Sequence, residues 1–382
     1  MPLHFDDNEY NARQQKAVQA LADSGLDALL IFAPESQYWL CGYDTFGFSM
    51  FQCLVLTRTG ALHLLTRLPD RQQARHTSTL SDDQIHIWHE TEGRDPTDDL
   101  LALLGDLGVR DSKLGYESQT VGLTDFNGRR LHARLPGLAD HSDLIAALRR
   151  VKSPAEIAMH RRAAELADDA MDAGLRHTKP GAFEGDILAE MQGAVFRGGG
   201  DYAGNEFILG SGAGALLVRY YSGRRHLAQQ DQITWEWAGA YARYHAAMMR
   251  TVVIGDVPEK QRRMHAAARA ALEACEAAIR PGAAMGDVYD AHARTFDGAG
   301  FGHAKMQACG YGMGAIYNPI WVDFPMFYEG NPLTIQTGQV FFLHMILVDN
   351  TEGLAMSVGH SVLVTENGVE RLSRQPLDLL EI

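Results

Sequence analysis

Residues 235–255 read WEWAGAYARYHAAMMRTVVIG. Strands predicted over 232–238 and 243–254 make this stretch a β-hairpin, and Glu236 decides how it is read. A carboxylate centred in a strand between Trp235 and Trp237 is costly to bury unless it has a partner or a task. Its pKa should rise, or a cation should meet its charge. The layout is that of a metal-binding hairpin. It holds one carboxylate, however, where a bridged pair of metal ions would need two.

Outward from the hairpin, helices are predicted over 183–197, 258–279 and 285–299, and strands over 339–348 and 358–365. A long helix running to about residue 175 starts at Ser153, with Pro154 in its first turn and Glu156 near the positive end of its dipole. The second half of the chain, 146–382, therefore reads as helices covering one face of a curved, largely antiparallel sheet. The first half, 1–145, reads as an α/β domain with a mixed sheet. It has an amphipathic helix over 9–24, a buried strand in SGLDALLIF, and a hairpin formed by FQCLVLT and ALHLLT around the turn RTG. The fold class is thus α/β (α+β) in two domains.

The chain has 382 residues, 46% hydrophobic and 21% charged, ample for two cores. With 34 Lys and Arg against 48 Asp and Glu, the formal charge of −14 argues against nucleic-acid partners and anionic membrane surfaces. Cys41, Cys53, Cys275 and Cys309 form no CxxC pair, so free buried thiols in a reducing compartment are expected. No basic-then-apolar leader and no run of 18 apolar residues is present, which points to a cytoplasmic protein.

Six segments in order carry a family likeness: VKSPAEIAMHRRAAELAD at 151, FILGSGAGALLVRYYSGRRHLAQQDQ at 207, the hairpin at 235, GYGMGAIYNP at 310, TGQVFFLHMIL at 337 and GHSVLVTENGVERLS at 359. Together they resemble the creatinase, prolidase and aminopeptidase P family, whose C-terminal half is the pita-bread fold. The resemblance covers roughly 146–373, and the smaller N-terminal domain fits it. Metal-dependent members hold two metal ions with two Asp, one His and two Glu, a ligand set suited to Mn, Co or Zn that generates a hydroxide nucleophile. In this sequence those positions are Glu236, Ala247, Tyr311, His344 and Gly359. The resemblance therefore implies no metal and no other cofactor. It points to the metal-free branch that includes creatinase and the ectoine hydrolases, because E-x-A-G-x-Y-x-R-Y-H at 236–245 and G-Y-x-x-G-x-x-Y-x-P at 310–319 resemble motifs of the latter. The chain departs from that branch at Arg219 and His344.

In that branch the resemblance implies a carboxylate nucleophile, and Glu236 is the candidate here, as nucleophile or as general base. His245 shares strand parity with Ala247, so it should face the same pocket, and an imidazole there suits general acid or base work. His344 stands at a former ligand position and should also face the cavity, whereas His360 has the opposite parity to Gly359 and reads as structural. Tyr311 supplies a phenol, and Tyr244, within the 236–245 motif, is a further candidate for substrate contact. Arg219 offers a fork for a substrate carboxylate, the alternative being a salt bridge with an acidic neighbour. Sites tend to lie between domains, so Asp44, Phe46 and Phe48 are also candidates, against the ordinary role of aromatics as core.

The expectation is a metal-independent hydrolase that cleaves a C–N bond in a small carboxylate-bearing compound. The rivals are an Xaa-Pro peptidase with altered metal ligands and a non-catalytic small-molecule-binding protein. A homodimer is implied by the resemblance alone.

Overall fold

The computed structural model describes residues 3–219 and 223–382. It divides into two compact units, Met1–Arg149 and Arg150–Ile382. The first unit contains helices α1 (Asp7–Asp23), α2 (Pro34–Cys41), α3 (Arg71–Thr77), α4 (Pro96–Asp106), α5 (Asp125–Arg134) and α6 (Asp143–Arg150). Its strands are β1 (Ala28–Ile31), β2 (Cys53–Thr57), β3 (Leu62–Arg67), β4 (Ile85–Trp88), β5 (Leu114–Tyr116) and β6 (Ala139–Asp140), in the order β4-β3-β2-β1-β5-β6. The β2–β3 hairpin predicted around RTG is present and antiparallel, and β1 pairs parallel with β5, so the sheet is mixed.

The second unit contains α7 (Pro154–His177), α8 (Glu184–Arg197), α9 (Glu259–Ala278) and α10 (Met285–Gly298). Its strands are β7 (Ile208–Ser211), β8 (Asp231–Tyr241), β9 (Tyr244–Ile254), β10 (Ala308–Gly312), β11 (Asp323–Tyr328), β12 (Val340–Asp349), β13 (Leu354–Thr365), β14 (Gly368–Arg371) and β15 (Leu380–Glu381). The main path is β11-β10-β12-β13-β9-β8-β7, with β14 added beside β13 and β15 beside β9. Apart from the short parallel β15–β9 pairing, neighbours are antiparallel.

Local chemistry explains the elements. Ser153 and Glu156 close a reciprocal capping box at the start of α7, with Pro154 at its first position. The β8–β9 hairpin closes through Ala242 and Arg243, both with positive φ (49° and 65°), the two-residue turn that matches strand twist. Asp201 Oδ2 accepts from the Arg243 N–H at 3.1 Å, and the Arg243 carbonyl accepts from the Ile316 N–H at 3.0 Å, holding a turn that side-chain-bearing residues adopt at a cost.

The helices cover one face. Trp237 donates from its indole to the Ala167 carbonyl of α7 at 2.8 Å, while Phe341, Leu343, Met345 and Leu347 of β12 share a core cluster with Leu272 and Cys275 of α9. Side chains of opposite parity face the other way. Arg250 is buried on the helix side, and its Nη1 donates to the carbonyls of Met249 (2.9 Å) and Gly359 (2.6 Å), stitching β9 to β13.

Tyr244, expected at the substrate, is turned to this same helix-covered face. Its hydroxyl donates to Glu156 Oε1 of α7 at 2.8 Å, and its ring packs against His160 at 5.2 Å. One residue of parity separates it from the open face. His360, read as structural, bonds Glu276 of α9 at 2.6 Å, and Arg371 completes that ion-pair cluster.

Candidate active site

Register places the key residues on the face away from the helices. Glu236 pairs with Met249, Met249 with Gly359 and Gly359 with His344, so these four form one row across β8, β9, β13 and β12. Two residues along, Ala238 pairs with Ala247, Ser361 pairs with Phe342, and Phe342 pairs with Tyr311 of β10. Ser361 Oγ accepts from the Ala247 N–H at 2.9 Å, which joins this second row across β9 and β13. The five positions Glu236, Ala247, Tyr311, His344 and Gly359 thus share one sheet face.

Glu236 is half-buried. Burial pushes its carboxyl up to about 7, while the Arg219 charge and the hydrogen bond from Tyr311 pull the other way. Tyr311 is buried, and its phenol accepts from the Trp321 indole N–H at 2.9 Å. Because an indole can only donate, the phenol proton is left for Glu236. Burial, and then the Glu236 charge, hold the Tyr311 hydroxyl protonated well above the usual range. The chain Trp321 to Tyr311 to Glu236 is therefore directional. Replacing Tyr311 with Phe removes the donor to Glu236. The expected result is a ~10–100-fold loss of turnover, with the acidic limb of the pH–rate profile displaced to higher pH, measured as kcat/KM against pH.

His344 lies against Tyr311 and Phe342, with ring centroids 5.5 Å away in each case. Burial first, then the neighbouring His292, and also the Arg219 charge, push its pKa down to about 4, so it is a neutral imidazole at pH 7. Its Nδ1 has no hydrogen-bond partner among the described residues. His292 of α10 is buried against Tyr289 and Phe296 and was not singled out from the sequence, where it reads as one more residue of an amphipathic helix. Arg219 follows the short helical turn Gly212–Leu216 and is exposed, yet its charge is felt at Glu236, Tyr311 and His344.

His245 shares the face but not the neighbourhood. It pairs with Ala240, four residues along β8 from Glu236, on the order of 13 Å at the usual strand rise. Its Nε2 accepts from the Gly204 N–H at 2.8 Å, and burial pushes its pKa down to about 4. The structure therefore does not bring Glu236 and His245 together. Asp44, buried, and Phe46, 87% exposed, belong to the first unit. Trp321 escaped the sequence reading because its contact with Tyr311 joins an irregular segment to a strand, and no periodicity marks it.

The residues present do not fit a pair of metal ions. Ala247 offers no donor, and Tyr311 is a protonated phenol engaged by Trp321. A side chain at Gly359 would put its Cβ 2.5 Å from the Leu343 carbonyl oxygen. Glu236 and His344 remain, two donors where tight sites use about four. Among the described residues no group of three or more His, Cys, Asp or Glu is placed to hold a metal. No helix among the described residues is long and apolar enough to cross a membrane.

Comparison with known proteins gives the family and the fold. Residues 158–366 match the model of metallopeptidase family M24, and residues 13–151 match the creatinase/prolidase N-terminal domain. The ectoine hydrolase of Halomonas elongata is 28% identical over 396 residues, covering 99% of this chain and 98% of that protein. The Xaa-Pro dipeptidase of Pyrococcus furiosus is 25% identical over 243 residues, covering 62% of this chain and 67% of that protein. Among solved structures, dipeptidase PepE from Mycobacterium ulcerans superposes with a TM-score of 0.86 at 23% identity, covering 99% of each chain.

Proposed function

This chain belongs to metallopeptidase family M24, and from that premise we propose that it is a metal-independent hydrolase of a C–N bond in a small carboxylate-bearing compound of ectoine or creatine type. The observation that carries the proposal is the row containing Glu236, where one carboxylate with a near-neutral pKa is joined by Tyr311, and the positions of the other three acidic ligands hold Ala247, His344 and Gly359. The likeness to an ectoine hydrolase over nearly the whole of both chains supports the substrate class.

A carboxyl that titrates near pH 7 is matched to proton transfer at neutral pH. In this reading ionised Glu236 takes a proton from water as the water oxygen bonds to the substrate carbon. It then returns the proton to the departing nitrogen as the C–N bond breaks. Tyr311 holds the carboxylate through its hydrogen bond, neutral His344 accepts or donates one hydrogen bond to the reacting group, and the Arg219 fork meets the substrate carboxylate.

The test is turnover of ectoine, hydroxyectoine, creatine and Xaa-Pro dipeptides, with and without a strong chelator, alongside elemental analysis of the purified protein. The expected result is hydrolysis of an ectoine- or creatine-type compound, unchanged by chelator, with metal well below one ion per chain. Stoichiometric Mn, Co or Zn whose removal abolishes activity, or turnover of Xaa-Pro dipeptides alone, would overturn the reading.

A further inference from the structure

Glu184 opens α8 and is 1% exposed, although acids at helix starts are usually solvated. Its Oε1 accepts from both the N–H (2.8 Å) and the hydroxyl of Ser211, the last residue of β7. Its Oε2 accepts from the Arg225 N–H at 3.3 Å, and the Glu184 N–H donates back to the Arg225 carbonyl at 3.0 Å. A Cβ added at Gly223 would fall 1.0 Å from Glu184 Oε2, so at this position only a bare backbone leaves room for the carboxylate. Arg225 then reaches across with Nη1, donating to Ser211 Oγ at 2.7 Å and to Asp231 Oδ2 at 2.5 Å. Asp231, the first residue of β8, also accepts from the Ala228 N–H at 2.8 Å.

Ser211 and Arg225 are the two ends of the stretch of chain that carries Arg219. One buried carboxylate therefore ties both ends, one oxygen to each. Glu184 touches none of Glu236, Tyr311 or His344. Resting on the proposed role of Arg219 as substrate anchor, we infer that Glu184 is a positioning residue: it clamps the two stems, Ser211 and Arg225, and so fixes the backbone of 212–219, from which Arg219 projects. A carboxylate suits this work because each stem presents N–H or O–H donors and both oxygens can only accept. Glutamine cannot reproduce it, since its amide group would turn a donor toward one set of donors.

The experiment is hydrogen–deuterium exchange on the full chain, comparing wild type with Glu184→Gln and the milder Ser211→Ala. Peptides covering 212–219 should exchange at least ~10-fold faster in Glu184→Gln, with α7 and β12 unchanged, and less so in Ser211→Ala. Arg219→Ala should leave that exchange as in wild type. Unchanged exchange over 212–219 in both variants, or a uniform rise throughout the second unit, overturns the clamp whatever the substrate is. On ectoine, Glu184→Gln should raise KM about 10-fold with kcat within about threefold of wild type, and should add little in an Arg219→Ala background. Full additivity of the two substitutions would overturn the inference that Glu184 acts through Arg219. If Arg219→Ala itself leaves KM unchanged, the anchor role fails, and the clamp is judged by exchange alone.

Discussion

Glu236→Gln should abolish hydrolysis, lowering kcat by at least ~1,000-fold while the protein remains folded. The same variant should be more stable than wild type in alkaline buffer, and the sign follows from the shifted carboxyl. With its pKa raised to about 7 in the folded state, Glu236 is at no disadvantage below the ordinary carboxylate range, where folded and unfolded chains are both protonated. From the ordinary carboxylate pKa up to about 7 the unfolded chain is ionised while the folded chain still holds its proton, so stability falls across that window and stays lower above it. Glutamine carries no such liability, so it should gain about 1–3 kcal/mol at pH 8, discounted for the part of the group that faces solvent, and nothing at pH 4. Denaturant unfolding at the two pH values reads this directly. In wild type, kcat/KM should rise with pH through about 7, because the base must be ionised. A flat profile between pH 5 and 8 together with an active Gln variant would remove Glu236 from the chemistry.

The second large effect is expected at Gly359. Gly359→Glu would restore an acidic residue at a position where metal-dependent relatives carry one. Its Cβ, however, meets the Leu343 carbonyl oxygen at 2.5 Å, the His344 Cα at 3.1 Å and the Phe342 ring at 3.1 Å. Backbone cannot step aside as a side-chain tip can, and the new carboxylate would also have to be desolvated. A loss of about 3 kcal/mol or more is expected, roughly a 10 °C fall in Tm for a unit of this size, with no gain of metal even in the Ala247→Asp background. Calorimetry and elemental analysis check both parts. A double variant of unchanged stability that binds two metal ions would show that the site had merely lost its ligands.

Much of the fold was written in local chemistry. The Ser153, Pro154 and Glu156 cap predicts the start of α7 to the residue, and the apolar runs around RTG predict β2 and β3. The hairpin turn was hidden, because Ala242 and Arg243 adopt positive φ without the Asn-Gly or Asp-Gly sequence that usually announces it. For the site, parity correctly separated Ala247 and His344 from His360, since a period of two assigns faces. Parity does not assign rows, so it put His245 on the right face while leaving its four-residue distance from Glu236 invisible. It also could not show that Tyr244, adjacent to His245, is used by Glu156 of α7. Trp321 and Glu184 depend on contacts between segments far apart in the chain, 10 residues to Tyr311 and 27 or 41 to the two stems, and leave no local trace.

The close packing at Gly359 also bears on descent. β12 and β13 pair so closely at Gly359 that a side chain introduced there is penalised by the backbone itself. A lineage that reached this arrangement would have to loosen two strands before the carboxylate could return. Under the proposed metal-independent reading, an acidic residue at Gly359 therefore cannot return by one substitution at little cost.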